Sequence, residues 1–145
     1  METRQPINLI DANVSEKMKT FLSFVNLIET GVTDSKAYEA FLHKEVEFYE
    51  YPNLITKQGQ VRNFFAALKG VEAGKNLMAE HSYKYLDWFE LDEKLVIESL
   101  WTGTIAMDVA HLKKGDQLKA HICMIIYFKE GKIIRQRNYD CYEPF

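Results

Sequence analysis

Residue types suited to chemistry are concentrated near the end of the chain, where Arg137, Tyr139 and Asp140 lie close together. Arginine offers a fixed fork of hydrogen-bond donors and tyrosine a hydroxyl, so this pair could bind a carbonyl, a phenol or a carboxylate. Asp140, or a desolvated Cys141, could titrate beside them. The alternative is structural, with the arginines at a rim or paired with carboxylates and Asp140 in contact with a second subunit.

A second candidate group combines His81 and Glu98 with Tyr83 and Tyr85 on neighbouring predicted strands. Histidine is the usual proton-transfer residue near neutral pH, and a nearby glutamate could orient its ring. The competing interpretation is a solvated sheet face that carries aromatic cross-strand pairs. Both interpretations depend on which strand faces point inward.

Composition narrows the classes of function. The 145 residues suit one domain, 1–145, and the formal charge of −3 argues against a nucleic-acid partner, since phosphate binding needs a basic face. No apolar run is long enough to span a membrane, and the stretch from Met1 to Pro6 lacks a signal core, so we expect a cytoplasmic protein. Cys123 and Cys141 are too few for a disulfide framework, and no residue spacing indicates a metal or another cofactor.

The first half of the chain is predicted to be mainly helical. Apolar residues at helical spacing follow Ser15, a suitable N-cap, and Gly31 ends that helix. A short second helix follows Thr33 or Asp34. Further along come a strand from Glu45 to Tyr51, which stops at Pro52, and a third helix from Lys57 to the Gly70–Gly74 region.

The second half is predicted to be strand after strand. We place strands near 79–91, 95–107, 118–129 and 132–141, with tight turns at Asp92-Glu93 and Glu130-Gly131. Gly103 is expected to bend or bulge its strand. Helices followed by an antiparallel meander indicate an α+β domain in which the helices cover one face of a curved sheet.

Counting across Glu130-Gly131 as a two-residue turn predicts the faces of the last hairpin. The apolar face, which should point at the helices, then carries Arg137, Tyr139 and Cys141. Asp140 falls on the opposite face unless a bulge shifts the strand.

That opposite face also predicts a partner. It includes Cys123, Ile125 and Tyr127 and is half apolar, which suits packing against a second copy better than contact with water. We therefore expect a homodimer through the sheet face. The same count at Asp92-Glu93 groups His81 and Glu98 together but leaves open which face of strands 79–107 is internal.

Several segments resemble the SnoaL-like group of the nuclear transport factor 2-like superfamily. They are Tyr51-Pro52-Asn53, the stretch Trp101-Thr102-Gly103-Thr104, and the ending from Gly131-Lys132-Ile133 to Tyr139-Asp140. The resemblance implies a cone-shaped barrel of a strongly curved antiparallel sheet covered by three N-terminal helices, with a ligand cavity between them. It makes Tyr49 and Tyr51 candidate ligand contacts, and Glu50 a general base if it is buried. The other candidate contacts, taken from the residues themselves, are Tyr83, Trp101, Arg137 and Tyr139, with a place in the core or an interface as the alternative for Trp101.

Enzymes of this superfamily offer tests at single positions. Ketosteroid isomerases would need an acid at Tyr51, a tyrosine near Phe21 and an acid near Met124, and none is present. Limonene epoxide hydrolases would need Arg-x-Asp in the strand that here reads Glu98-Ser99-Leu100, so their motif is missing as well. Polyketide cyclases carry an aspartate on the last strand, and by the unbulged count that position is Cys141, with Asp140 one residue before it.

The sequence therefore predicts a protein that binds a small apolar or aromatic molecule in an aromatic and polar cavity. Cofactor-independent general acid/base catalysis of the cyclase, isomerase or dehydratase type is open, with Asp140, His81 and Glu98 as candidates. The alternative is a non-catalytic dimerisation or protein-interaction module that uses the outer sheet face. Since one fold hosts many functions, the residues in the cavity must decide between them.

Overall fold

A computed structural model describes residues 14–145, which form an α+β domain, as predicted. The elements in chain order are α1 (Glu16–Glu29), α2 (Ser35–Glu39), β1 (Leu42–Glu50), β2 (Gln60–Arg62), α3 (Phe64–Leu77), β3 (Met78–Leu91), β4 (Lys94–Ile105), β5 (Gln117–Lys129) and β6 (Lys132–Tyr142). Three helices are predicted ahead of the antiparallel strands of the second half, and α1, α2 and α3 confirm that prediction. The segment from Met1 to Pro6, on which the cytoplasmic location depends, lies outside the described residues.

All six strands join one sheet in the order β2-β1-β6-β5-β4-β3. Strands β3 to β6 form the predicted antiparallel meander, but β1 pairs with β6 in parallel, with Tyr49 beside Arg137. The sheet is therefore mixed, and it curls without closing into a barrel. The resemblance implies an antiparallel sheet, and the parallel pair is the exception to it, because β1 lies beside the last strand and runs in the same direction.

Helices α1 and α2 begin after the predicted N-cap residues, Ser15 and Asp34. The Ser15 hydroxyl accepts a hydrogen bond from the Met18 N–H at 3.1 Å, and the Asp34 carboxylate accepts one from the Lys36 N–H at 3.1 Å. Each cap satisfies a helix N–H that would otherwise lack a partner. One side of α1 then buries Met18, Phe21, Leu22, Phe24 and Val25 in the core.

The third helix begins later than predicted. Asn63 caps it by accepting from the Ala66 N–H at 2.9 Å, so residues 57–62 are not helical. Gln60 to Arg62 instead form β2, an edge strand beside the end of β1. Gly59 sits at φ +67°, where L side chains are strained, and so ends any helix before β2. Val61, which lies within the predicted third helix, is in β2 and is 60% exposed.

Two β-bulges decide which side chains point inward. In β6, Ile134 is an extra residue between the pairs Phe128–Ile133 and Tyr127–Arg135. In β3, Leu86 is an extra residue between the pairs Asp87–Glu98 and Tyr85–Ser99. Because side chains alternate along a strand, one extra residue exchanges the faces of everything beyond it.

The exchange overturns the predicted faces of the last hairpin. Asp140 lies on the inner face opposite Ile122, while Arg137, Tyr139 and Cys141 lie on the outer face. Gly103 does not bulge its strand, since it pairs in register with both His81 and Leu118.

The core lies between the inner face of the sheet and the helices. Residues of β4 and β5 bury fully there, among them Leu95, Ile97, Ala120, Met124 and Ile126. In the part of the chain that is described, no helix is long and apolar enough to cross a membrane.

Candidate functional site

A cavity of about 380 Å³ lies between the inner face of the sheet and helices α1 and α3. Its apolar wall includes Phe24, Val25, Leu42, Ile122 and Met124. Its polar wall is formed by Glu50, Gln60, Arg62, Tyr83, Gln136, Asn138, Asp140 and Tyr142. An apolar chamber with a few convergent polar groups is typical of a small-molecule site.

Asp140 is a half-buried carboxyl on the inner face of the sheet. It stands in an inner row with Tyr85, Ser99 and Ile122, one residue from each of the four long strands. Its Oδ1 atom is buried and has no hydrogen-bond partner among the described residues. Burial, and secondly the charge of Glu50, raise the pKa of Asp140 to about 6. This carboxyl can therefore both hold and release a proton near neutral pH.

Tyr83 and Tyr142 flank Asp140 in the next inner row, which also contains Trp101 and Ala120. Burial, followed by the charge of Asp140, raises the pKa of both phenols well above their ordinary value. Neither hydroxyl has a hydrogen-bond partner within residues 14–145. The two phenols thus remain neutral and can donate to an oxygen placed in the cavity.

Glu50 forms the opposite side of the polar wall and is firmly held. Its Oε1 accepts from Asn53 Nδ2 at 3.0 Å and Thr56 Oγ1 at 2.8 Å, and its Oε2 accepts from Gln60 Nε2 at 2.6 Å. Burial alone would raise the pKa of Glu50, but these hydrogen bonds and the charge of Arg62 outweigh it, and the pKa is lowered. Glu50 therefore stays ionised while Asp140 can be neutral.

His81 lines the cavity but already has partners for its ring. Its Nδ1 accepts from the Trp101 indole N–H at 3.3 Å, and a hydrogen bond joins it to the backbone of Ile28. Burial lowers the pKa of His81 despite that second bond, so the ring is neutral at pH 7. The indole passes over Gly103, where a Cβ would lie 2.7 Å from Trp101 Cζ2. His81 thus orients Trp101 in the cavity wall.

Other sequence candidates are separated from the cavity. Glu98 is exposed on the outer face opposite Cys123, so it cannot orient His81, and the predicted pairing of these two is wrong. The Leu86 bulge is the reason, because it places His81 and Tyr83 inside while Glu98 stays outside.

Arg137 and Tyr139 are also outer residues, which corrects their predicted place among the ligand contacts. The Arg137 guanidinium carbon lies 5.7 Å from the ring centres of both Tyr49 and Tyr127. Tyr139 packs on Tyr51 with ring centres 4.7 Å apart. Tyr49 borders the cavity, but its hydroxyl donates to Glu47 and its ring packs on the arginines. Tyr83 and Trp101 do line the cavity, as expected.

Sequence reasoning missed Arg62, Gln136, Asn138 and Tyr142, which belong to the polar wall. The last three follow from the same inner alternation as Asp140 once Ile134 is bulged. Within the described ranges, no group of three or more His, Cys, Asp or Glu side chains is placed to hold a metal ion.

The fold has clear relatives among solved structures. IdmH from Streptomyces antibioticus, a proposed polyketide cyclase, superposes with a TM-score of 0.71 at 10% identity over 87% of this chain and 92% of IdmH. A proposed polyketide cyclase from Acidithiobacillus ferrooxidans gives 0.69 at 13% identity, over 90% of this chain and 91% of that one. A proposed SnoaL-like polyketide cyclase from Jannaschia gives 0.65 at 12% identity, over 97% of this chain and 91% of that one.

The chain therefore shares its fold with solved SnoaL-like and nuclear transport factor 2-like proteins. The sequence matches no family model and no curated protein. Identities this low show a shared fold only, so the chemistry has to be inferred from the residues that line the cavity.

Proposed function

We propose that the protein binds a small, largely apolar, aromatic or polycyclic molecule in this cavity and catalyses proton transfer on it without a cofactor. The observation that carries the proposal is Asp140, a carboxyl on the inner face with a pKa of about 6 and a buried oxygen that has no hydrogen-bond partner among residues 14–145. A general acid/base works best when its pKa lies near the operating pH. The neighbours named as polyketide cyclases suggest the reaction class.

The chemistry would be an intramolecular aldol closure. Asp140 as carboxylate takes a proton from the carbon next to a ketone, and the enolate oxygen accepts a hydrogen bond from Tyr83 or Tyr142. The enolate carbon then attacks a second carbonyl carbon of the same molecule and forms the ring bond. The resulting alkoxide takes the proton back from Asp140, so nothing else is consumed.

The first half of this sequence can be tested without the natural substrate. 2-Tetralone has acidic protons next to its carbonyl, and their exchange in D2O is followed by NMR. We expect the wild type to accelerate exchange over buffer and Asp140→Asn to lose roughly 100-fold or more of that acceleration. His81→Ala should change the rate far less, because the His81 ring already bonds the Trp101 indole and the backbone of Ile28.

Two results would oppose the catalytic proposal. One is a wild type that exchanges 2-tetralone no faster than buffer although NMR titration shows the ketone bound. The other is an Asp140→Asn protein as fast as wild type. Absence of binding by any aromatic probe would remove the cavity-binding function itself.

A second function is favoured by the outer face of the sheet. Phe89 and Leu91 are 59% and 60% exposed there, beside the half-buried Ile125 and Tyr127. We propose that this face pairs two copies of the chain. Sedimentation velocity of Phe89→Glu should show monomers where the wild type shows dimers, while Phe65→Glu, on α3, should remain dimeric. A wild type that is monomeric at all concentrations overturns this second proposal.

A further inference from the structure

We propose that Arg62 anchors an anionic group on the cavity's ligand, so that the ligand class is an aromatic or polycyclic carboxylate. This inference rests on the proposed binding function and adds the chemical class of the molecule bound.

Arg62 points to the cavity side of the sheet. It is paired with Phe48 in the antiparallel β1–β2 ladder, and residues directly opposite each other project to the same face. Phe48 is an inner residue, since its ring packs on Phe24 of α1 at 5.7 Å. Arg62 is half-buried and lines the cavity, as does Gly70 of α3.

Gly70 makes the room that the guanidinium occupies. A Cβ at this position would overlap Arg62 Nη1 and lie 3.0 Å from Cζ. The guanidinium therefore lies against the backbone of α3. A side chain at residue 70 would force the guanidinium to move, so its present position depends on glycine, a residue that a helix interior disfavours.

The charge of Arg62 has no ion-pair partner among residues 14–145. Its charge lowers the pKa of Glu50, yet the two groups are not paired. Both oxygens of Glu50 are already used by Asn53, Thr56 and Gln60. A guanidinium carries five N–H donors, and leaving a partly buried charge unpaired is costly.

A carboxylate on the ligand fits these unused donors. Arginine binds carboxylates through two parallel hydrogen bonds, which fixes orientation as well as affinity. The apolar wall opposite, with Phe24 and Met124, suits the aromatic body of the same molecule. The acid would then lie at the β2 end of the cavity.

The test compares 2-naphthoate with 2-naphthamide, two probes of nearly equal shape that differ in charge. Calorimetric titrations at pH 8 are made with the wild type, Arg62→Gln, Gly70→Ala and Lys69→Gln. We expect the wild type to prefer naphthoate by about 10-fold or more. Arg62→Gln should abolish the preference and leave naphthamide affinity unchanged.

The other two variants separate a positioned guanidinium from overall charge. Gly70→Ala displaces Arg62 at constant net charge and should reduce the preference. Lys69→Gln removes one positive charge from an exposed position on the same helix and should leave the preference intact.

Equal binding of both probes by the wild type, or a preference that survives in Arg62→Gln, overturns the anchor while the binding function stands. If neither probe binds any of the four proteins, the binding function fails and the anchor fails with it. Thermal denaturation of each variant establishes that the comparison is made on folded protein.

Discussion

Asp140 lies directly opposite Ile122 across the β5–β6 pair, with both side chains on the inner face of the sheet. The two meet because Ile134 occupies a bulge six residues earlier in β6. Without that extra residue the alternation would have turned Asp140 outward and Cys141 inward. The candidate acid/base therefore depends on a backbone irregularity outside the cavity.

The two cysteines give a direct test of this register. Cys141 is exposed on the outer face, whereas Cys123 is half-buried, and burial followed by the charge of Glu98 raises the pKa of its thiol. Since the thiolate is the reactive form, we expect Cys141 to react with a disulfide reagent at pH 8 clearly faster than Cys123. Single Cys→Ser variants assign the two rates. A slowly reacting Cys141 would support the unbulged register and contradict the structure.

Some of this fold could be predicted because its signals are local. Ser15 and Asp34 cap their helices through their own side chains, and Glu130-Gly131 turns the last hairpin with φ of +55° and +75°. Such features involve neighbours in the chain, so residue type and spacing reveal them. The parallel pairing of β1 with β6 joins distant segments and leaves no comparable local signal.

The bulges could not be predicted because the sequence around each fits two registers. Ile133 and Ile134 are both apolar, so either one satisfies the core. Around the other bulge, Tyr85, Leu86 and Trp88 are likewise suited to a buried place. The pattern of apolar residues therefore cannot say which of them is extra, and the polar residues that follow change faces with the answer.

Asp140 should make stability depend on pH. Its folded pKa of about 6 lies above the ordinary value of 3.8, so the folded state holds the proton more tightly than the unfolded state does. Ionising Asp140 therefore lowers the free energy of unfolding. This loss is absent below pH 4, grows as pH rises from about 4 to 6, and is then constant, at most about 3 kcal/mol. Asp140→Asn removes it. Urea denaturation of both proteins from pH 4 to 8 measures their free energies of unfolding. The value for Asp140→Asn minus the value for the wild type should rise between about pH 4 and 6 and then stay constant.

The control for that experiment is Asp116→Asn, at an exposed loop position. The difference in free energy of unfolding between Asp116→Asn and the wild type should not rise between pH 4 and 6. If the difference for Asp140→Asn is also flat, or falls with pH, the carboxyl is not buried as described.

Glu50→Gln should lower the pKa of Asp140. The charge of Glu50 contributes to the raised pKa, second to burial, so removing it favours ionisation of Asp140. The titration midpoint of the Asp140 side-chain carbon, followed by NMR, should move below that of the wild type. Any exchange activity that needs the Asp140 carboxylate should then extend to lower pH.

The same substitution should also loosen the loop that follows β1. Glutamine cannot accept from all three donors that hold Glu50, so we expect a loss of roughly 1–3 kcal/mol in the free energy of unfolding. Asn53→Ala, which removes one of these donors without removing the charge, serves as the control. It should lower stability but leave the Asp140 midpoint near its wild-type value, and an equal shift in both variants would contradict the electrostatic origin.

Gly103→Ala should disturb the cavity wall from the backbone side. A Cβ there would lie 2.7 Å from Trp101 Cζ2 and 3.2 Å from Met78 Sδ, so the indole must move. Moving a buried ring in a packed wall costs about 1–3 kcal/mol, which thermal and urea denaturation would measure. The indole would also lose its hydrogen bond to His81 at 3.3 Å, and tryptophan emission in a Trp88→Phe background should shift. Gly74→Ala is the matched control, because no atom of residues 14–145 lies within 4 Å of its added Cβ. Since alanine is the better helix former, that variant should be as stable as wild type or up to about 1 kcal/mol more stable. A Gly103→Ala protein with unchanged stability and emission would show that Trp101 does not lie over Gly103.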